Sequence, residues 1–237
     1  MIDALCHLEL CEDPTRAAEQ AARVGVLAMV SAGVDPRTDP PLPPLATPSM
    51  WRAYGIHPQA VAPAVLDEQL ATLEHRLDEP GVVALGECGL DTRPAMPSLE
   101  AQEQALRAQL AIAARRRLPV LLHIVHAWPS ALHLLEESEV RQGVWHGFAG
   151  PKEAIEPALR LGLYLSVGGA LLRTNARRPR EVARHIPALR LLVETDAPDL
   201  PPERLVDVID ELALLRGQTA AEVARLTAAN ARAAYRR

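Results

Sequence analysis

The sequence predicts an α/β fold, a TIM (β/α)8 barrel, from two observations. Apolar runs of strand length alternate with longer helical patterns along all 237 residues, as in a parallel sheet joined by helical crossovers. Eight such runs can be counted, and eight parallel strands suit a closed barrel better than an open sheet. No linker composition or internal repeat breaks the pattern. Residues 1–237 are therefore expected to form one domain.

Ile2 to His7 reads as strand one, with Asp3, Leu5 and His7 on one face and Ala4 and Cys6 on the other. Asp13-Pro14-Thr15 starts a helix, Asp as cap and Pro at the first position, that runs to about Val24. Val26 to Ser31 is strand two. The segment Asp35 to Ser49 holds six prolines, so the crossover from strand two to strand three is expected to be irregular. Arg52 to His57 is strand three, and a helix from Leu66 to Leu77 leads into strand four.

Strand four, in Val82 to Asp91, carries the functional reading. Four apolar residues run into Gly86-Glu87-Cys88-Gly89. The glycines are expected to turn the backbone tightly and leave the Glu87 carboxylate pointing out of the strand end. That carboxylate needs a partner, since burying an unpaired charge costs on the order of several kcal/mol. The partner is either an arginine from a neighbouring strand or a cation shared with other strand ends.

Ser98 to Arg117 is a strong helix capped by Ser98. Pro119 to His123 is strand five, a helix covers Ser130 to Glu137, and Gly143 to His146 is strand six. Pro151 opens a helix to about Leu161, Leu163 to Val167 is strand seven, and an arginine-rich loop follows Gly168-Gly169. Leu191 to Thr195 is strand eight, reaching Asp196, and helices from Glu203 to Arg216 and from Ala220 to Tyr235 follow.

Hydrophobic residues make up 49% of the chain, enough for a sizeable core, but the longest apolar runs are too short to cross a bilayer. The N-terminus is acidic with no basic region. A soluble, cytoplasmic, monomeric protein without membrane contact is expected. Cys6, Cys11 and Cys88 form no CxxC pair, so neither a disulfide framework nor a thiolate zinc site is indicated. A net charge of −5 argues against a broad surface for duplex nucleic acid. It leaves a phosphodiester substrate open, because bound cations add local positive charge. Lys152 is the only lysine, which excludes a centre bridged by a carboxylated lysine at a strand end.

Five strand ends carry His7, Glu87, His123, His146 and Asp196. In a closed parallel barrel these ends meet at one mouth, where active sites sit. Three imidazoles and two carboxylates suit Zn, Mn or Fe better than Mg alone. Each residue also has a plain structural reading: a lone strand-end histidine can be a capped core residue, and Asp196 can cap a helix. Five such coincidences at one mouth are less economical than a shared cause.

Asp3-x-x-x-His7-Leu8, Gly55-Ile56-His57-Pro58, Gly86-Glu87-Cys88-Gly89-Leu90-Asp91, Pro119 to His123, His146-Gly147-Phe148-Ala149-Gly150 and Glu194-Thr195-Asp196-Ala197-Pro198 resemble segments of the TatD family of metal-dependent hydrolases. Asn230 with Tyr235 resembles that family's last helix. The resemblance implies a TIM barrel and a metal-dependent deoxyribonuclease or exonuclease. It implies Glu87 as a bridging carboxylate, one metal shared with the strand-one histidines and Asp196, and another held by His123 and His146. Catalysis would then rest on Glu87 and Asp196, with one or two divalent ions (Zn, Mn, Fe or Mg) and with DNA or a small nucleotide as substrate.

This chain departs from that pattern at three places. Leu5 stands where the family has the first histidine of His-x-His, Gln59 where it has a second histidine, and Val125 where it has an arginine, with His126 alongside. One strong and one weakened metal site are expected. Substrate contacts are assigned to His57, His126 and Arg173. Arg115-Arg116-Arg117 is placed at the base of the barrel, away from the mouth. A different class also fits the departures: a catalytically impaired barrel serving as a binding or regulatory subunit.

Overall fold

The apolar runs become one parallel sheet because each strand is buried on both faces, inside by its neighbours' side chains and outside by helices. The computed structural model describes residues 1–45 and 47–236. Its strands are β1 (Ile2–Cys6), β2 (Ala28–Ala32), β3 (Ser49–Tyr54), β4 (Val82–Asp91), β5 (Val120–Val125), β6 (Gly143–Trp145), β7 (Leu163–Val167) and β8 (Leu191–Val193). They lie in sequence order, every adjacent pair parallel. The helices are α1 (Pro14–Arg23), α2 (Leu66–Arg76), α3 (Leu99–Arg116), α4 (Trp128–Glu137), α5 (Ile155–Arg160), α6 (Arg177–His185), α7 (Leu205–Arg216) and α8 (Ala220–Ala234). This is the expected (β/α)8 barrel. Among the described residues, no helix is long and apolar enough to cross a membrane.

Two apolar clusters reflect the two faces of the sheet. The inner one takes small or slim residues from the strands, such as Ala4, Ala28, Val30, Ala53, Ala84, Leu121, Val144 and Leu192, and is stoppered by Trp51 and Tyr235. Those two rings pack edge to face at 6.3 Å, and the Tyr235 hydroxyl donates to the Ala4 carbonyl at 2.8 Å. The larger outer cluster joins the other strand face to the helices.

The barrel seam lies between β8 and β1. The Asp196 N–H donates to the Leu5 carbonyl at 3.0 Å and the His7 N–H to the Ala197 carbonyl at 2.7 Å. Asp3 completes the seam with its side chain, accepting from the Thr195 N–H at 2.9 Å and the Thr195 hydroxyl at 2.5 Å.

The proline-rich crossover is irregular, as expected: between β2 and β3 no helix forms among the described residues. It is tied down by Arg76 of α2, which donates to the carbonyls of Pro36 and Asp39 at 3.1 and 3.0 Å.

Four details differ from the sequence reading. β4 does not stop at Glu87 but runs on to Asp91, with a bulge between Gly86 and Cys88. The glycines serve close packing: a Cβ on Gly86 or Gly89 would fall 2.3 or 1.8 Å from the carbonyl oxygens of Leu121 and His123 on β5. In β1 a register shift between Asp3 and Cys6 breaks the alternation, so Ala4 and Leu5 both enter the inner cluster. Pro151 opens only a short 3-10 turn ahead of α5. The arginine-rich segment after β7 is not all loop, because α6 forms within it.

Candidate metal centre

The bulge in β4 delivers Glu87 to the axis of the mouth. Its carboxylate is 1% exposed and its two oxygens face different partners. Oε2 lies 2.8 Å from His7 Nε2, which is itself 3.5 Å from Asp196 Oδ1. Oε1 lies 2.7 Å from His146 Nε2 and 3.5 Å from His123 Nδ1. The five residues expected at the strand ends are therefore brought together, with Glu87 between two pairs.

The ring of each histidine is held by a further contact. The His7 Nδ1 edge meets the Ala32 carbonyl at 2.7 Å, turning Nε2 to Glu87. His123 Nε2 meets Asp91 Oδ2 at 3.1 Å, turning Nδ1 inward. His146 Nδ1 lies 3.4 Å from Glu194 Oε1, an oxygen that also accepts the Gly147 N–H at 2.6 Å. Carboxylates and carbonyls behind imidazoles fix ring orientation and raise nitrogen basicity, as behind metal-ligating histidines.

The electrostatics point the same way. Burial alone would raise the Glu87 carboxyl, but the charges of His146 and His7 hold it well below its ordinary value. Burial alone would lower His7, yet Glu87 raises it to about 9. His146 is likewise pushed well above its ordinary value, against burial, by Glu87 and Glu194. Burial raises Asp196 to about 6. Protons on His7 and His146 thus offset the Glu87 charge, and a divalent cation would displace them. Neither Glu87 oxygen has a hydrogen bond of proper geometry. Two orphaned carboxylate oxygens among imidazole nitrogens are the donor set of a nitrogen–oxygen metal site, and the residues present fit one.

The profile of the family described as TatD related DNase matches residues 2–236. The chain belongs to the TatD family. It is 34% identical to the 3′-5′ ssDNA/RNA exonuclease TatD of Erwinia tasmaniensis, across 96% of this chain and 95% of that protein. It is 32% identical to the metal-dependent hydrolase YjjV of Escherichia coli K12, across 94% and 93% of the two chains. The crystal structure of YjjV matches with a TM-score of 0.87 at 29% identity, covering 100% of this chain and 98% of that one. This TatD-family chain is a metal-dependent hydrolase acting on ester bonds.

The three expected substrate contacts fall in different places. His57 is buried against the centre, its ring 4.3 Å from that of His123, and its ligand atom lies within 4.8 Å of those of Glu87 and His123. Burial lowers its imidazole to about 3, and its Nδ1 accepts the Gln59 N–H at 3.1 Å. A neutral ring so bonded keeps its proton on Nε2 and acts as a donor. Arg173 lines a cavity of about 390 Å³ at the mouth together with His123, His146 and Asp196. His126 is outside that cavity. It borders a second one of about 310 Å³, beside Trp128 and Arg178, which shares Val125 and Gly147 with the first.

Asp91, Glu194 and Arg93 were not singled out by the sequence reading. Asp91 and Glu194 had a usable signal, since each lies close in sequence to a candidate carboxylate: Asp91 ends β4 four residues after Glu87, and Glu194 follows β8 two residues before Asp196.

Proposed function

We propose that this chain hydrolyses phosphodiester bonds at the ends of single-stranded nucleic acid, and that residues 1–237 act as one catalytic domain. The observation carrying the reading is Glu87, wholly buried with each oxygen turned to a different histidine. The relatives' activity supports the substrate class. So does a mouth cavity with both Arg93 and Arg173 in its wall, which suits an anion.

His123, His146 and Glu87 Oε1 would hold one ion firmly, three protein ligands being the usual catalytic number. His7, Asp196 and Glu87 Oε2 would hold a second one weakly, because Leu5 supplies no nitrogen. When bound, the ion supplies positive charge at the phosphoryl oxygen and makes water a better nucleophile at neutral pH. Asp196 would orient the attacking water and take its proton, being a one-third-exposed carboxylate at the cavity wall. His57, buried beside Glu87 and His123, would give the centre a neutral donor at Nε2. Arg173 binds phosphate.

A second reading rests on Leu5, which is fully buried where this centre would gain from a ligand. On that reading the barrel binds a partner or nucleic acid without turnover.

Glu87→Gln separates the readings. Losing a direct ligand should weaken metal binding at least as much as the ~10–100-fold typical of outer-shell changes. Bound metal, by mass spectrometry, and release of 3′-terminal nucleotides from single-stranded DNA in Mn²⁺, Zn²⁺ and Mg²⁺ should vanish together, while the fold persists. A variant that keeps its metal would make Glu87 a structural ion-pair residue. A parent that binds metal but releases nothing would favour the binding role.

A further inference from the structure

Just beyond β4, Arg93 brings a guanidinium to the mouth with only part of it engaged. Its Nε donates to Asp91 Oδ1 and Oδ2 at 3.0 and 2.8 Å, and Nη2 to Oδ2 at 2.5 Å. Its backbone N–H donates to Oδ1 at 2.9 Å, so the side chain and its root grip one carboxylate. Asp91 is fully buried, and its Oδ2 also meets His123 Nε2 at 3.1 Å. The Arg93 side chain is nevertheless 49% exposed and lines the same cavity as His123, His146, Asp196 and Arg173. Nη1 has no hydrogen-bond partner among the described residues. An arginine pinned along one edge has already lost much of the rotamer freedom that a free surface arginine would lose on binding. The register partner of Asp91 on β5 is Val125, so this part of the rim receives no charge from the neighbouring strand.

We propose that Arg93 is a substrate-contacting residue, its free edge gripping a phosphate of the nucleic-acid substrate while its pinned edge, through Asp91, holds His123 with Nδ1 toward Glu87; this rests on the phosphodiesterase reading above. Planar guanidinium geometry matches two phosphate oxygens at once, which an ammonium cannot do. The contact therefore couples substrate binding to the orientation of a metal-centre histidine.

Arg93→Ala removes both functions, whereas Arg93→Gln keeps an N–H donor for Asp91 and loses the charge and the free guanidinium edge. The probes are thymidine 5′-monophosphate, titrated calorimetrically into the Mn²⁺-loaded full chain, and a single-stranded oligonucleotide for kinetics. Metal content is measured on the same samples. A charged hydrogen bond of this kind is expected to be worth about 10- to 100-fold in affinity. Arg93→Gln should weaken mononucleotide binding by that factor at unchanged metal content, raise KM more than it lowers kcat, and reduce the salt slope of oligonucleotide binding by about 0.7. Arg93→Lys should recover part of the affinity. A purely bracing role moves metal content or stability but not the salt slope. If Arg93→Gln matches the parent in mononucleotide affinity and salt slope, Arg93 only braces Asp91 and makes no substrate contact. If the parent itself neither binds the mononucleotide nor cleaves the oligonucleotide, the phosphodiesterase reading falls and this assignment falls with it.

Discussion

At the scale of single residues, Leu5 is the position on which the metal count turns. It is fully buried in the inner cluster, and its carbonyl accepts the Asp196 N–H. A histidine there would enter the mouth beside His7 and Asp196, where a weakened second site lacks a nitrogen. Leu5→His should raise the metal stoichiometry from about one toward two ions per chain, and speed hydrolysis. An imidazole left unsatisfied in that cluster would cost about 1–3 kcal/mol, while one bound to metal would cost little. Thermal unfolding with and without Mn²⁺, alongside metal analysis, tells these outcomes apart. Equal loss of stability in both conditions, with no metal gained, would mean the mouth is rebuilt around leucine and would favour the binding role. The same residue shows a limit of reading by strand alternation. His7 and Leu5 were assigned one face and Ala4 the other, but the bulge in β1 admits Ala4 and Leu5 to the same interior. A bulge is a tertiary compromise between neighbouring strands and leaves no reliable mark in five residues of sequence.

At the scale of elements, the direction of the strands decides which arginines can meet a substrate. Arg173 follows β7 and lines the mouth cavity, and no ion pair holds it among the described residues. Arg116 ends α3 at the opposite end of the barrel, paired with Asp78 at 2.6 Å. Arg173→Ala should raise the KM for single-stranded DNA and lower the salt slope by about 0.7, the share of one phosphate contact. Arg116→Ala should leave both unchanged and cost less than about 1 kcal/mol, as exposed ion pairs do. Equal kinetic effects would put the substrate path somewhere other than the mouth. Elements with a strong apolar period and a cap were readable: Asp13 caps α1 by accepting the Arg16 N–H at 2.9 Å, and Ser98 caps α3. The helix α6 was not. Five of its nine residues are Arg or Glu, with Pro179 in the first turn, and only Val182 and Ala183 are buried. Its helicity comes from docking on α7, where Arg180 pairs with Glu211 at 2.8 Å, and that contact has no local signature.

At the scale of the whole molecule, the five strand ends were readable as one site because a parallel barrel gathers them whatever the loops do. For the residues that orient those side chains only the position was readable: Asp91 and Glu194 lie near Glu87 and Asp196 in sequence, but their role emerges only once the histidines they face are placed. The seam has the same character. Asp3 is the second residue of β1, yet its carboxylate joins the first strand to the segment after the last one through Thr195, with a further weak bond from the Leu5 N–H at 3.4 Å. Burial pushes its carboxyl up to about 8, against the lowering effect of the Thr195 hydrogen bonds. A carboxyl with a folded value near 8 and an unfolded value near 3.8 binds more protons in the native state between those limits. Stability from this group is therefore fully present below about pH 4 and is lost as pH rises toward 8. Asp3→Asn keeps an acceptor for the Thr195 N–H and cannot ionise, so its unfolding free energy should fall less than the parent's between pH 4 and pH 8. Urea titrations of both proteins in chelator, across that range, measure the difference free of metal binding. Asp3→Ala, by contrast, orphans the buried Thr195 N–H and should be about 1–3 kcal/mol less stable than Asp3→Asn at every pH. If parent and Asp3→Asn show parallel pH profiles, Asp3 is ionised in the folded barrel, and the seam is held by a carboxylate whose three donors outweigh its burial.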